Sequence, residues 1–384
     1  MEQACFGRPQ GAALAGRIAF VLGTRPEIVK LAALIQLFAG DAAVVHTGQH
    51  YDERMSGAFF TDCGLAEPDV TLRIGGLPRA AQIGRAVHEL GELFAEHRPA
   101  AVLVQGDTNS ALAGALAANA LEIPLVHVEA GLRSRDRAMP EEHNRVLIDH
   151  LADLLCAPTP ENAANLRAEG IGEQHIAITG NTVVEALRAA LPEPAARAKL
   201  LAEVGVEAGR FVLATAHRPE NTDDPEALRA IVAELAALGA QGWPVVFPVH
   251  PRTRAALHAA NGGVMPAGII AREPLGYRDF LALAAECALL ISDSGGIQEE
   301  ATVLGRPLIV VRRSTERPEA MRDFATLVRP GPEIGAHAAR LLAQQPALTA
   351  RLTDLPSPFG DGRAAARIHA LTMDLVEKVL VEGV

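Results

Sequence analysis

The sequence predicts two doubly wound α/β domains, and three observations carry that expectation. Its 384 residues exceed the size at which one hydrophobic core usually keeps growing, so two domains of roughly 200 residues each are the natural division. Short apolar runs alternate with longer Ala-rich, helix-favouring stretches, which is the rhythm of parallel βαβ units. That rhythm pauses at residues 191–209, where Pro192 and Pro194 interrupt it before a fresh apolar run begins.

The first strand is expected at residues 17–22 and the helix after it at 27–38. Further strands follow at 43–47, 101–105, 125–128 and 154–157, each leading through a turn into a helical pattern, as in doubly wound sheets. The 191–209 segment reads as a short helix with loops and as the hinge. Beyond it the same unit recurs, with strands at 211–215, 245–249, 268–270, 289–292 and 308–311. A closing helix at 363–380 follows a Pro-Phe-Gly-Asp-Gly turn. The expected divisions are 1–190, 191–360 and a closing segment 361–384. The duplication is one of architecture, because no internal repeat is visible in the residues.

Composition narrows the class. The chain is 49% hydrophobic and 21% charged, as in ordinary globular proteins, and only 4% aromatic. A formal charge of −11 argues against a nucleic-acid or membrane-surface partner, so a phosphate ligand would be small and locally bound. Cys5, Cys63, Cys156 and Cys287 are scattered without a Cys-x-x-Cys pair, which fits a reducing cytoplasm. Residues 1–16 carry no signal-peptide pattern, and no apolar run has the length of a membrane span.

The sharpest motif lies in residues 289–305, where an apolar strand runs into Asp293-Ser294-Gly295-Gly296 and then a helix. Glycines let the backbone approach a ligand, and the first helical turn offers amides and a dipole to an anion. The same residues also suit a plain strand-to-helix turn with Ser294 as N-cap and Glu299 and Glu300 favouring the helix start. A second motif, Gly23-Thr24-Arg25-Pro26-Glu27 with Lys30 one turn on, ends the first strand. Pro26 suits the first helical position. Arg25 and Lys30 then face either the ligand side of the sheet or solvent.

Three acids, Asp107, Glu129 and Glu141, sit at strand or loop ends, where a parallel sheet gathers its ligand-binding rim. Singly, each also reads as a helix-start or solvated residue; together they form an acid–base set. His217, just past the first strand of the second half, can bind phosphate or relay a proton. His250 and Arg252 follow another strand end, although a lone histidine there is commonly an ordinary hydrogen-bonded residue. No G-x-G-x-x-G, P-loop, G-x-S-x-G or H-E-x-x-H pattern is present, and no spacing suits a metal. Neither a nicotinamide nor a metal cofactor is therefore expected.

Taken together, GTRPEIVK, TGQH, QGDTNS, HVEAGLRS, MPEEHNR, GNTVVEAL, ATAHRPENT, PVHPRT, SDSGGIQEEA, STERPEA and PFGDGRAAARI occur in an order that resembles the non-hydrolysing UDP-N-acetylglucosamine 2-epimerase family along nearly the whole chain. The resemblance implies two Rossmann-like domains in a glycosyltransferase-B-like arrangement around an interdomain cleft, with the final helix returning toward the first domain. It implies a UDP-sugar partner, a homodimer, and UDP held mainly by the C-terminal half. By motif, Arg25 and Lys30 would approach the pyrophosphate or sugar, and Gln49 would join the substrate-binding set. Ser294, Gly295, Gly296 and His217 would meet the phosphates. Glu300 would bind the ribose hydroxyls, Phe280 would pack near uracil, and Glu316 and Arg317 would complete that wall. Asp107, Glu129 and Glu141 would carry the acid–base chemistry with Arg145 nearby.

The implied reaction interconverts UDP-GlcNAc and UDP-ManNAc through elimination of UDP, a 2-acetamidoglucal and re-addition. A UDP-sugar glycosyltransferase is the alternative of another class, since fold alone does not separate them. Arg133, Arg135 and Arg137, in a short loop before Glu141, resemble the branch acting on diacetamido uronic acids, although with Asp136 among them the simpler reading is a solvated loop. Arg322-Asp323-Phe324-Ala325 departs from the family pattern, and so does Tyr51-Asp52-Glu53-Arg54-Met55 after the TGQH motif. The second departure implies loss of substrate activation at a neighbouring pocket.

Overall fold

The computed structural model describes residues 14–49, 60–261 and 263–382. Tyr51 to Met55, on which the expectation about substrate activation rests, lie outside them. The chain divides into two compact units, one reaching to Ala186 and resuming at Phe359, the other spanning Leu187–Pro358.

The first unit is built on strands β1 (Ile18–Leu22), β2 (Ala42–His46), β3 (Val70–Thr71), β4 (Ala101–Gln105), β5 (Leu125–Val128), β6 (Leu154–Ala157) and β7 (Ile176–Ile178). All pair in parallel, in the order β3-β2-β1-β4-β5-β6-β7. Residues alternate between two buried faces. Ile18, Phe20 and Leu22 pack with Leu31 and Phe38, whereas Ala19 and Val21 pack with Leu90, Phe94 and Ala115. Burial on both sides is why these strands read as continuous apolar runs. The closing helix Ala364–Glu382 belongs to this unit, placing Ala364, Ala365 and Ile368 in the Ile18 cluster. Its start is tied down where Glu185 Oε1 accepts from the Ala365 amide at 2.8 Å.

The second unit repeats the plan with β8 (Val212–Thr215), β9 (Val245–Pro248), β10 (Ile269–Arg272), β11 (Leu289–Ser292), β12 (Leu308–Val311) and β13 (Ala325–Val328). Its parallel order is β10-β9-β8-β11-β12-β13. Val212, Ala214, Val245 and Phe247 face one cluster, while Leu213, Val246 and Leu290 face the other. The α/β class and the two Rossmann-like sheets are as the sequence predicts. Strands β3, β7 and β13 are additional to those expected. Each lies at a sheet edge, and their partly exposed residues give no continuous apolar run.

Each sheet reverses its strand order once, between β1 and β4 in the first unit and between β8 and β11 in the second. Doubly wound sheets bind ligands beyond the carboxyl ends of the strands at that reversal. No helix among the described residues is long and apolar enough to cross a membrane.

Candidate active site

At the β1/β4 reversal, β1 ends in Gly23 and Thr24 and hands over to the helix Arg25–Phe38. Glu27, in its first turn, is 1% exposed and gathers four donors: the Gly23 amide at 3.0 Å, the Thr24 amide and hydroxyl at 2.8 Å each, and the Thr108 hydroxyl at 2.8 Å. Burial is the largest influence on its carboxyl and raises the pKa to about 7, against the lowering effect of those bonds. Glu27 thus ties the β1 turn to the residue after Asp107. The Thr-x-x-Glu spacing of a capping box is the signal that marks it in the sequence.

Lys30, one turn on, is buried and meets Glu129 Oε2 at 2.7 Å. Gln105, at the end of β4, donates a short bond to the same oxygen. Glu129 follows β5 with φ 71°. That left-handed conformation is costly for a residue with a Cβ and clusters at functional sites. A buried carboxylate in strained backbone, held by an ammonium and an amide, is suited to exchanging a proton with a bound ligand.

Asp107, two residues past Gln105, accepts from Arg145 Nε at 3.1 Å and Nη2 at 2.5 Å. Arg145 lies on the helix Pro140–Leu151, and its Nη1 reaches Glu142 Oε2 at 2.6 Å. Glu142 also accepts from the Ser134 amide and hydroxyl and the Arg135 amide, at 2.8–2.9 Å, so it fixes the loop before the helix. The sequence singles out Glu141, which is exposed one helical turn before Arg145. Its neighbour Glu142 is the one that turns inward, a difference the sequence does not show because two adjacent acids are told apart only by the phase of the helix.

Gln49 accepts from the Ser110 amide at 2.9 Å and hydroxyl at 2.8 Å, at the start of the helix Asn109–Ala120 after β4. Arg25 is partly exposed at the same rim. Of the three arginines before Glu141, Arg133 is buried and engaged, meeting Asp149 at 2.7 Å and Glu169 at 2.6 Å. Arg135 and Arg137 are exposed.

At the β8/β11 reversal, the central group is Asp293, 0% exposed. It accepts from the His217 and Arg218 amides at 2.9 Å each, from Asn221 at 3.0 Å, and faces His217 Nδ1 at 3.0 Å. Burial alone would raise its pKa, but the bond and charge of His217 together with the amide donors hold it below the usual value. His217 is thereby oriented through Nδ1 while its ring stays partly exposed. His250, with its ring centroid 5.6 Å away, has its pKa lowered by burial and by the charges of His217 and Arg252.

The helix Gly295–Leu304 starts with Ser294 as N-cap in extended backbone, and Ser294 makes no side-chain capping bond. The capping alternative for Ser294 therefore lacks its bond. A Cβ at Gly295 would come 2.8 Å from both Arg317 Nη1 and Glu316 Oε1, whereas one at Gly296 would meet nothing within 4 Å. The turn is packed from below by Arg317, whose Nε donates to Glu299 at 2.7 Å and whose Nη1 makes a short ion pair with Glu316. Arg312 reaches the other Glu316 oxygen at 2.9 Å. Gly296 is thus left open beside the first-turn amides, as an anion site requires. Glu300 is buried in the same helix, and Phe280 is half-buried against the Leu213 cluster. Among the described residues no group of three or more His, Cys, Asp or Glu side chains is arranged to hold a metal ion.

A family model described as UDP-N-acetylglucosamine 2-epimerase matches residues 38–372. A UDP-N-acetylglucosamine 2-epimerase of Methanococcus maripaludis is 38% identical over 362 residues, covering 91% of this chain and 96% of that protein. A UDP-2,3-diacetamido-2,3-dideoxy-D-glucuronate 2-epimerase of Pseudomonas aeruginosa is 37% identical over 359 residues, covering 92% and 98%. The crystal structure of Methanocaldococcus jannaschii UDP-GlcNAc 2-epimerase in complex with UDP-GlcNAc and UDP superposes with a TM-score of 0.84 at 37% identity, covering 93% and 99%.

Proposed function

The chain belongs to the UDP-N-acetylglucosamine 2-epimerase family, and from that premise we propose that it inverts carbon 2 of UDP-GlcNAc by expelling UDP and adding it back. The observation that carries this reading is Glu129, a buried carboxylate in left-handed backbone on Lys30 and Gln105, next along the rim to Asp107 on Arg145.

The chemistry follows from what the sugar offers. Its carbon 2 proton is not next to a carbonyl, so direct deprotonation is too difficult. Loosening the carbon 1–oxygen bond to UDP gives carbon 1 oxocarbenium character and acidifies that proton. A carboxylate of the Asp107, Glu129 and Glu141 set takes the proton as the carbon 1–oxygen bond breaks, giving a 2-acetamidoglucal and UDP. In the reverse sense an acid of the set delivers a proton to the opposite face of carbon 2 while a UDP oxygen rebonds to carbon 1. Leaving-group charge falls to Arg25, His217, Ser294 and the amides at Gly295 and Gly296. Glu300, Phe280, Glu316 and Arg317 serve the nucleoside side, with Gln49 and Arg145 on the sugar side.

NMR of UDP-GlcNAc incubated with the protein in D₂O tests the reaction. The epimer should carry deuterium at carbon 2, and a slowed variant should release some UDP and glucal. Complete proton retention without leakage would sink the elimination route.

A second reading, the same inversion on a diacetamido uronic acid, is favoured by the similarity to the P. aeruginosa enzyme. Arg133 is occupied by Asp149 and Glu169, so a sugar carboxylate would fall to Arg135 or Arg137. Comparing kcat/KM on the two UDP sugars decides it. A ratio favouring the uronic acid that collapses in Arg135→Ala or Arg137→Ala would select this reading.

A further inference from the structure

His127 lies on β5, two residues before Glu129, with 0% exposure. Its Nε2 is 2.8 Å from the carbonyl oxygen of Gly106, and its Nδ1 is 2.6 Å from Asp149 Oδ1. A carbonyl only accepts, so Nε2 carries a proton and donates. Asp149 also accepts from the Gly131 amide at 3.1 Å and faces Arg133 Nη1 at 2.7 Å. Burial would raise its pKa, but the neighbouring His127 and Arg133 lower it. Nδ1 faces the Asp149 carboxyl, and the ring is pinned from both ends.

A buried histidine with both nitrogens satisfied is often no more than a core residue. Here the acceptor is the carbonyl immediately before Asp107. Gly106 stands in left-handed backbone at φ 69°, and its amide donates to the Val128 carbonyl at 3.0 Å. Residues 127 and 128 of β5 therefore grip both sides of the residue that launches Asp107, and residue 129 is the other carboxylate. The Asp149 end of the chain reaches Gly131 and Arg133, in the loop that follows Glu129.

We propose that His127 is a positioning residue that sets Asp107 against Glu129 by holding the Gly106 carbonyl, with Asp149 locking the ring; this rests on Asp107 and Glu129 being the acid–base pair. Misplacing a reacting group by about 1 Å costs on the order of 10²-fold in rate. His127→Asn is too short to reach both partners. Asp149→Asn keeps the volume and removes the charge that locks the ring.

The test measures turnover, UDP affinity by titration calorimetry, and the histidine side-chain nitrogen spectrum of ¹⁵N-labelled wild-type protein. The expected result is turnover lower by about 10- to 10²-fold in each variant, with UDP affinity within about twofold because the phosphate turn lies in the other unit. The wild-type spectrum should show Nε2 of His127 protonated, with a through-bond coupling from it to the Gly106 carbonyl. Folded variants with wild-type turnover, equal losses of turnover and UDP affinity, or a bare Nε2 would each overturn the proposal. Should His127→Asn fail to fold, Asp149→Asn and the wild-type spectrum still decide. Wild-type turnover in Asp107→Asn and Glu129→Gln would instead bring down the acid–base assignment, leaving the nitrogen spectrum to speak for the His127 clamp alone.

Discussion

The two sheets share one strand order around their reversals, 3-2-1-4-5-6 counted within each unit, yet they carry opposite chemistry there. At the β1/β4 reversal carboxylates face cations in pairs, Glu129 with Lys30 and Asp107 with Arg145, and one carboxylate sits in strained backbone. At the β8/β11 reversal a single buried carboxylate, Asp293, serves to orient His217, and the next turn is left open at Gly296. Topology decides where each site lies, and the residues at the strand ends decide what it does. On the proposed reading, one unit supplies the proton transfers and the other holds the anion.

The largest effect should come from breaking the proton side of that contrast. Asp107→Asn, Glu129→Gln and Glu141→Gln are each expected to lose on the order of 10²-fold or more in turnover, as for positioned acid–base groups. Binding of UDP should change little. Glu129→Gln also takes a buried carboxylate away from Lys30, which costs about 3–5 kcal/mol, so circular dichroism must accompany its kinetics. Near-wild-type turnover in all three would dissolve the distinction between the units. Glu141 is the sharpest of the three, since it is exposed while Glu142 is buried on Arg145. A loss in Glu142→Gln with none in Glu141→Gln would move the third acid by one position.

The next effect sharpens the contrast through pH. Glu27 has its pKa raised from 4.5 to about 7, chiefly by burial. A raised carboxyl favours the protonated folded state, so its contribution to stability is full below about pH 4.5 and is lost as pH rises through about 7. Asp293 and Asp149 are shifted down, so their contributions are present above the usual carboxylate value and are lost as pH falls below it. The two windows do not overlap. Urea unfolding at pH 5 and pH 8 should show the wild type losing on the order of 2 kcal/mol relative to Glu27→Gln between the two. A wild type that gains stability over this interval relative to Glu27→Gln would mean that the four donors outweigh burial.

Legibility in the sequence followed burial. Inner strands such as β4 and β12 are apolar on both faces and stand out, whereas the edge strands β3, β7 and β13 are short and partly exposed and do not. Asp107 and Glu129 were visible as acids at strand ends. The pairing of Lys30 with Glu129 was not, since the two are 99 positions apart and only sheet order brings them together. Asp293 reads in the sequence as part of a phosphate turn, and its role as the anchor of His217 needs the β8/β11 pairing to appear. Glu142 was hidden by Glu141, and His127 by the strand that buries it.

The smallest effect tests the anion side and turns on two adjacent glycines. Gly295 has Arg317 and Glu316 at 2.8 Å from where its Cβ would lie, so Gly295→Ala must displace the ends of those side chains and should cost about 1 kcal/mol in stability. Gly296 has open space, and alanine is the better helix former by up to about 1 kcal/mol, so Gly296→Ala should be as stable as wild type or slightly more so. If a diphosphate lies against the first-turn amides, however, a methyl group at 296 holds it off, and weakening one charge-assisted hydrogen bond is worth about tenfold in affinity. Stability and UDP binding should therefore move in opposite directions in Gly296→Ala, measured by thermal unfolding without ligand and by UDP titration. Helix weakening predicts that both fall together, and a surface position of no consequence predicts that neither moves. Unchanged UDP affinity in Gly296→Ala would place the diphosphate away from this turn and leave His217 as the candidate to follow.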